Sequence, residues 1–221
     1  MRAGTALSAR RIVVLDFDGT VAVGDEPVLA YFRGVAGDGA DEAFASWVRT
    51  GEGFRDGYAL VADWAAAHDV AEAVRAQAYA ASRAALHDGT AAVTAPAGLA
   101  DALARRPADV RCVLVTNAPV DGIEPTLERL GLTGLLDGLI GDAGKPAGMA
   151  AVLERLLAAD GLAPARLLSV GDVWRNDLEP AAAIGAATAF VDRFGRGEGA
   201  PTFRGPTLEA LLPDVERWWS A

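Results

Sequence analysis

The sequence predicts an α/β fold: a Rossmann-like, doubly wound parallel sheet with an all-helical domain inserted into it. Its apolar runs are continuous rather than alternating, which is typical of strands buried on both faces. Helical patterns lie between these runs, and such alternation favours parallel strands joined by right-handed crossovers. From about Val23 to Ala92 this alternation breaks: the segment contains amphipathic helical patterns and no strand pattern, which indicates the insertion.

The predicted strands are short apolar runs that end in polar residues. Four are strong: "IVVLDF" from Ile12, "VRCVLVTN" from Val110, "RLLSVGD" from Arg166 and "AATAFVD" from Ala186. A weaker run, "GLIGD" from Gly138, is the candidate fifth strand.

The predicted helices of the core carry proline near their starts or glycine at their ends. "GIEPTLERLG" has Pro125 near its first turn and Gly131 as its stop. "AGMAAVLERLLAADG" has apolar residues at helical spacing and ends at Gly161. "DLEPAAAIG" has Pro180 early and Gly185 as its cap.

The insertion contains three amphipathic segments, "DEAFASWVRT", "YALVADWAAAH" and "VAEAVRAQAYAASRAALH". The first two are separated by a glycine-rich loop, "GEGFRDG", and the hinges are predicted at "VAVGDEP" and "DGTAAVTAPAG". We therefore expect a core domain at 1–22 plus 93–221 and a helical cap domain at 23–92. A helical lid is expected to close over the carboxyl ends of the strands, where open α/β sheets bind ligands.

Composition excludes several classes of function. The chain has 221 residues, of which 52% are hydrophobic and 23% charged, so it can bury a sizeable core. A net charge of −10 argues against binding nucleic acid, because there is no basic face to replace phosphate counterions. No signal-like or membrane-spanning segment stands out, so a cytoplasmic protein without membrane contact is expected. Monomer and homodimer both remain open.

Lysine is the rarest charged residue in the chain. Of the 20 basic residues, only Lys145, in "DAGKPAG", is a lysine, and the remainder are arginine. A glycine-rich and proline-containing loop is a poor place to pack a lysine stem. The position of Lys145 therefore indicates a task for its ammonium group.

Polar side chains follow the predicted strands at their carboxyl ends. They are Asp16 and Asp18 after the first strand, Thr116 and Asn117 after the second, Lys145 after the weak strand, and Asp172 and Asp177 in "GDVWRND". Each short motif alone is weak evidence, and Asp177 could simply cap the helix that follows it. Their joint placement at strand ends predicts one site.

These motifs resemble those of the haloacid dehalogenase-like hydrolase superfamily, in the branch with a helical cap after the first core strand. "DFDGT" is similar to the first family motif, "VTN" to the second, "GKP" to the third and "GDVWRND" to the fourth. The resemblance covers the core from about Ile12 to Gly195, whereas the cap matches by position and helicity alone.

The resemblance implies a chemistry that explains the paired aspartates. Asp16 would be the nucleophile that forms an acyl phosphate, and Asp18 would protonate the leaving alkoxide and then activate water. A Mg²⁺ ion suits such an all-oxygen site. Asp16, the backbone carbonyl of Asp18, and Asp172 would ligate the ion, with Asp177 as a further ligand or as a support for the others.

The resemblance also assigns the remaining polar residues. The Thr116 hydroxyl and the Asn117 amide would hold the phosphoryl oxygens, while Lys145 would neutralise them and hold the Asp16 carboxylate. True dehalogenases resemble this pattern but lack the second aspartate and need no metal, because a halide leaves without a proton. Asp18 therefore favours a phosphatase that acts on a small phosphorylated metabolite.

Several alternatives stay open at this stage. A sugar phosphomutase of the same superfamily is the nearest one. Outside this class are a receiver-like phospho-acceptor domain and a non-catalytic relative. In the cap, Arg49, Arg55 and Tyr58 flank the glycine-rich loop and are candidates for contacting the non-phosphate end of the substrate.

Overall fold

The computed structural model describes residues 9–54 and 56–221. The chain divides into two compact units, which we name the sheet unit and the helical unit. The sheet unit comprises Met1–Ala22, Ala95–Val120 and Gly131–Ala221, and the helical unit comprises Val23–Thr94 and Asp121–Leu130.

The sheet unit is built on parallel strands, as the sequence predicts. In the described part of the chain they are β1 (Arg11–Leu15), β2 (Val110–Val115), β3 (Gly138–Ile140), β4 (Leu167–Gly171), β5 (Ala187–Val191) and β6 (Phe203–Gly205). Their order across the sheet is β3-β2-β1-β4-β5-β6, and every pairing is parallel. The direction of winding reverses between β1 and β4, which is where doubly wound sheets bind ligands.

The predicted fold class is confirmed, and the predicted strands are β1 to β5. The additional strand β6 is only three residues long and has one strongly apolar residue, Phe203. It pairs with β5 at the edge of the sheet. Such a short edge segment lacks the continuous apolar run that distinguishes the other strands.

Among the residues that the structure describes, the helices of the sheet unit are α5 (Leu99–Arg105), α7 (Met149–Asp160), α8 (Glu179–Ala183) and α9 (Leu208–Ser220). Those of the helical unit are, in the same described ranges, α1 (Glu26–Ala36), α2 (Ala40–Thr50), α3 (Gly57–Ala67), α4 (Glu72–Asp88) and α6 (Ile123–Arg129). None of the helices in the described residues combines the length and the apolarity that crossing a bilayer requires.

Both faces of β1 are covered by helices. Ile12 and Val14 are fully buried in a cluster with Leu153 of α7. Because successive side chains of a strand point to opposite faces, Arg11 lies on the other face, where its guanidinium is 4.8 Å from the ring centre of Trp218 in α9. Each fully buried aliphatic side chain contributes about 1.5–3 kcal/mol to folding, so this packing fixes the strand that carries Asp16 at its end.

The helical unit contains the three predicted helices as α2, α3 and α4. The sequence did not predict α1, because "VAVGDEP" was interpreted as a hinge. In the structure Val23 pairs with Thr94, and α1 begins three residues later at Glu26, with proline in its first turn. Tyr31 of α1 packs against Tyr79 of α4 with ring centres 5.6 Å apart, and a Cβ on Gly34 would lie 2.7 Å from the Cβ of Ala78, so α1 and α4 are in close contact.

The segment Asp121–Leu130, which the sequence assigned to the core domain, clusters with the helical unit. Arg129 of α6 donates hydrogen bonds to the backbone carbonyls of Leu86 and His87, the latter at 2.6 Å. These carbonyls lie in the last turn of α4, where they lack partners within the helix. The arginine therefore satisfies the end of α4 and attaches α6 to it.

Candidate active site

The carboxyl ends of β1 and β4 bring two aspartates together at the point where the sheet reverses its winding. Asp16 follows β1, and its backbone N–H donates a 2.9 Å hydrogen bond to the carbonyl of Val170 in β4. Asp172 follows β4 directly. The neighbouring strand thus holds the backbone of Asp16 and fixes the position from which its side chain extends.

Lys145 is buried among three acceptors. Its ammonium donates to Asp16 Oδ1 and to Asp177 Oδ1, each at 2.6 Å, and to the Val115 carbonyl at 3.0 Å. All three ammonium protons are therefore used. Burial alone would lower the pKa of Lys145, but the two carboxylates outweigh it and hold this pKa above its ordinary value.

Asp177 is almost completely buried beside the other charges. Burial raises its pKa, and the negative charge of Asp16 raises it further, while Lys145 opposes both effects. Three carboxylates (Asp16, Asp172 and Asp177) lie close together here, and Lys145 donates to two of them, Asp16 and Asp177. An additional cation would balance the excess negative charge.

A π-helical turn, Trp174–Leu178, delivers the Asp177 carboxylate. The Ser169 hydroxyl donates a 2.7 Å hydrogen bond to the Asp177 carbonyl, and the Val173 N–H donates to Asp177 Oδ2 at 3.1 Å. A Cβ on Gly171 would lie 2.4 Å from the Cβ of Asp177, so only glycine permits this approach. π-Helical turns are frequent at functional sites.

The aspartates can accommodate a hard divalent cation. Asp16, Asp172 and Asp177 each offer one oxygen, and these oxygens lie within 4.8 Å of one another. Gly19 has a positive φ of 83°, and a Cβ there would lie 2.2 Å from Asp172 Oδ2. The Asp172 carboxylate thus occupies the space that the Cβ of any residue other than glycine at position 19 would fill. An all-oxygen donor set of this kind fits Mg²⁺. Asp18 is half-buried, and its side chain lies outside this group. The sequence predicts that Asp18 ligates the ion through its backbone carbonyl and not through its carboxylate.

The two residues predicted to hold phosphoryl oxygens make contacts of their own. Asn117 Oδ1 accepts from the Lys145 N–H at 2.7 Å, and its Nδ2 donates to the Lys145 carbonyl at 3.1 Å. Thr116 is buried, and its Oγ1 accepts from the Ala118 N–H at 3.0 Å, which leaves the hydroxyl proton to be donated.

The three predicted residues of the cap differ in their surroundings. Arg49 is exposed in the last turn of α2. Tyr58 is half-buried in α3, its ring centre is 6.2 Å from that of Tyr31, and its hydroxyl accepts from Arg83 at 3.3 Å. Arg55 lies outside the described residues.

Sequence reasoning missed several groups that hold the site. Two of them, the Val115 carbonyl and the Val173 N–H, are backbone groups and leave no trace in residue type. Ser169 could have been found from the sequence, because it is the only hydroxyl-bearing residue in the run "RLLSVGD". A buried polar side chain in an apolar strand requires a hydrogen-bond partner, and here that partner is Asp177.

The arrangement suits nucleophilic attack by a carboxylate. The ammonium of Lys145 orients the Asp16 carboxylate through Oδ1, and the remaining lone pairs of its two oxygens can meet a reacting atom and a metal. The same ammonium supplies positive charge beside the place where an anionic group would arrive.

Comparison with known proteins supports the resemblance of the sequence motifs to those of the haloacid dehalogenase-like hydrolases. The family model of haloacid dehalogenase-like hydrolases matches residues 13–180. Among curated proteins, none matches the chain.

Solved structures share the fold at low sequence identity. A predicted phosphoglycolate phosphatase of Haemophilus somnus is 19% identical over 94% of this chain and 98% of its own, with a TM-score of 0.68. The magnesium-bound HAD hydrolase YfnB of Bacillus subtilis is 18% identical over 94% and 99%, with a TM-score of 0.64. The L-2-haloacid dehalogenase of Xanthobacter autotrophicus is 19% identical over 93% and 98%, with a TM-score of 0.60.

The family model spans most of the chain and includes the aspartates and the lysine of the buried cluster. The protein therefore belongs to the haloacid dehalogenase-like hydrolases.

Proposed function

We propose that this protein is a Mg²⁺-dependent phosphatase that hydrolyses a small phosphorylated metabolite through a phospho-aspartate intermediate. One observation carries the proposal: the carboxylate held by Lys145 at the end of β1 is followed, two residues later, by a second aspartate. The first carboxylate provides a nucleophile, and the second provides the proton that an alkoxide leaving group needs.

In the first step the Asp16 carboxylate attacks the phosphorus atom in line with the ester oxygen. The bond from phosphorus to that oxygen breaks, and Asp18 donates its proton to the departing alkoxide, which leaves as an alcohol. The product on the enzyme is an acyl phosphate on Asp16.

In the second step Asp18, now ionised, takes a proton from a water molecule. The water oxygen attacks phosphorus, the bond between phosphorus and Asp16 breaks, and inorganic phosphate is released. Both aspartates return to their initial protonation states, so the cycle balances.

Lys145 and Thr116 provide the phosphate-binding groups in this proposal. The ammonium neutralises negative charge on the transferring group, and the Thr116 hydroxyl donates its remaining proton to a phosphoryl oxygen. A lysine ammonium is a compact point charge, which suits a position where one nitrogen meets three acceptors, whereas a guanidinium is a planar fork.

Asp16, Asp172 and the backbone carbonyl of Asp18 would hold the metal. When bound, Mg²⁺ supplies positive charge that offsets the excess of carboxylates and polarises the phosphoryl oxygens. Both oxygens of Asp177 already accept hydrogen bonds. We therefore assign Asp177 to holding Lys145 in place.

Dehalogenation is the principal alternative, because structural relatives include both dehalogenases and phosphatases. A halide leaves as a stable anion and needs no acid. Asp18, two residues after the nucleophile, has a task in ester hydrolysis and none in halide displacement, which favours the phosphatase.

Hydrolysis of p-nitrophenyl phosphate with and without Mg²⁺ tests the proposal. We expect metal-dependent turnover that falls to background in Asp16→Asn and by about 10²–10⁴-fold in Asp18→Asn. Asp142→Asn is the matched control, because Asp142 is an exposed aspartate at the same edge whose positive φ of 47° asparagine also adopts. A rate that survives Asp16→Asn, or chloride release from 2-chloropropionate in place of phosphate release, would contradict the proposal.

A further inference from the structure

The side-chain amide of Asn117 is paired with the backbone of Lys145. Its Oδ1 accepts from the Lys145 N–H at 2.7 Å, while its Nδ2 donates to the carbonyl of the same residue at 3.1 Å. One amide thus binds both polar groups of one residue, as a neighbouring β-strand would. The reverse orientation of the amide would place donor against donor and acceptor against acceptor.

This pairing continues a backbone ladder between two loops. The Asp142 N–H donates to the Ala118 carbonyl, and the Ala143 N–H donates to the Thr116 carbonyl, both at 3.0 Å. A Cβ on Gly141 would lie 2.8 Å from the Ala118 carbonyl oxygen, so the two loops are in direct contact. The ladder of backbone groups ends at Ala143, and the Asn117 side chain extends it to Lys145.

We propose that Asn117 is a positioning residue: it acts on the phosphoryl group through Lys145, by fixing the backbone from which the ammonium reaches Asp16 and Asp177. The sequence predicted instead that its amide would hold phosphoryl oxygens directly. The inference deepens the proposed function and rests on it for its kinetic test only.

The physical reason lies in the reach of the lysine side chain. Its ammonium must meet two carboxylates at 2.6 Å each, although four rotatable bonds separate it from the backbone. Lys145 lies in a loop after Gly144, without regular secondary structure to hold it. A displacement of about 1 Å in a catalytic group can cost on the order of 10²-fold in rate.

The single lysine of the chain makes a direct test possible. Protein labelled with ε-¹³C-lysine gives one side-chain methylene signal, which reports the surroundings of the Lys145 ammonium without substrate or metal. We expect this signal to shift or broaden in Asn117→Ala and, to a smaller extent, in Asn117→Asp, which retains the acceptor oxygen but loses the donor.

Val120→Thr is the control, because Val120 lies in the same loop with an exposed side chain. A lysine signal that is the same in wild type and in both Asn117 variants would overturn the proposal. Resistance of the buried Cys112 thiol to alkylation confirms that each variant is folded. If Asn117→Ala does not fold, comparing the lysine signal of wild type with that of Asn117→Asp decides whether the proposal holds.

Measurements of kcat provide a second test of the role of Asn117. Asn117→Ala should lower kcat by about 10²-fold, and Asn117→Ala combined with Lys145→Ala should be no slower than Lys145→Ala alone, because the amide acts through the ammonium. Fully additive losses would show that Asn117 touches the phosphoryl group itself. An inactive wild type would contradict the proposed function, while the lysine signal would still decide the role of Asn117.

Discussion

The Ser169 hydroxyl, in the middle of β4, donates a 2.7 Å hydrogen bond to the backbone carbonyl of Asp177. The carbonyl lies in the π-helical turn that delivers the Asp177 carboxylate to Lys145. A fully buried strand residue thus sets the position of a charge at the edge of the sheet.

Ser169→Ala should therefore reduce both stability and turnover. Loss of the donor leaves a buried carbonyl without its partner, which costs about 1–3 kcal/mol, and the π-helical turn loses its attachment to β4. Urea denaturation measures the first effect and kcat the second. Thr188→Val is the control, since it removes another buried strand hydroxyl, one that bonds to the Thr202 N–H. Equal losses of kcat in the two variants would contradict this account.

Mg²⁺ should raise the melting temperature of the wild-type protein. A ligand that binds only the folded state stabilises it by about 2.7 kcal/mol at 100 times its Kd. Asp172→Asn should abolish most of this shift. Gly19→Ala should do the same, because its Cβ would collide with the Asp172 carboxylate. Asp142→Asn should retain the full shift, and an equal loss in that variant would show that the ion binds elsewhere.

Asp192 should contribute stability that depends on pH. Burial alone would raise its pKa, but hydrogen bonds from the backbone N–H groups of Gly197 and Arg196 and from the Arg204 guanidinium hold this pKa below its ordinary value. A depressed folded-state pKa gives stability that is present above the unfolded value, about 3.9, and is lost as pH falls through the folded value.

The variant Asp192→Asn should accordingly cost about 1–3 kcal/mol at pH 7. The difference in unfolding free energy from wild type should narrow as the pH falls below about 3.9, where the carboxyl of the unfolded chain becomes neutral, and should be smallest below the lowered folded-state pKa. Urea denaturation at a series of pH values checks this expectation. If the difference in unfolding free energy between wild type and Asp192→Asn is constant between pH 7 and pH 3, packing and not the charge of Asp192 is responsible for the loss of stability.

The thiol of Cys112 should be unreactive in the folded protein. Burial raises its pKa to about 12, so almost no thiolate is present at pH 8. Because this is the only cysteine, titration with Ellman's reagent should give no fast reaction in buffer and one equivalent in denaturant. Rapid reaction under native conditions would mean that β2 opens locally.

The sequence was informative where a residue type is chemically distinctive and lies at the end of a buried strand. Asp16, Asp172 and Lys145 were singled out in this way, and the structure brings them to one edge of the sheet. The partner of Asn117 could not be predicted, because an amide can face a phosphoryl group or a peptide group equally well. Which one it meets depends on how two irregular loops pack. The strand β6 and the helix α1 were missed for a related reason: β6 is too short to show a period, and α1 begins within "VAVGDEP", the segment interpreted as a hinge.

The attachment of α6 to α4 through Arg129 has a consequence for building chimeras of this protein with its relatives. An exchange of residues 23–94 alone would leave Arg129 behind, without the carbonyls of Leu86 and His87 that it satisfies. The transplanted α4 would in turn carry an uncapped end. A functional exchange therefore requires two discontinuous pieces of chain, 23–94 together with 121–130, transferred as one folded body.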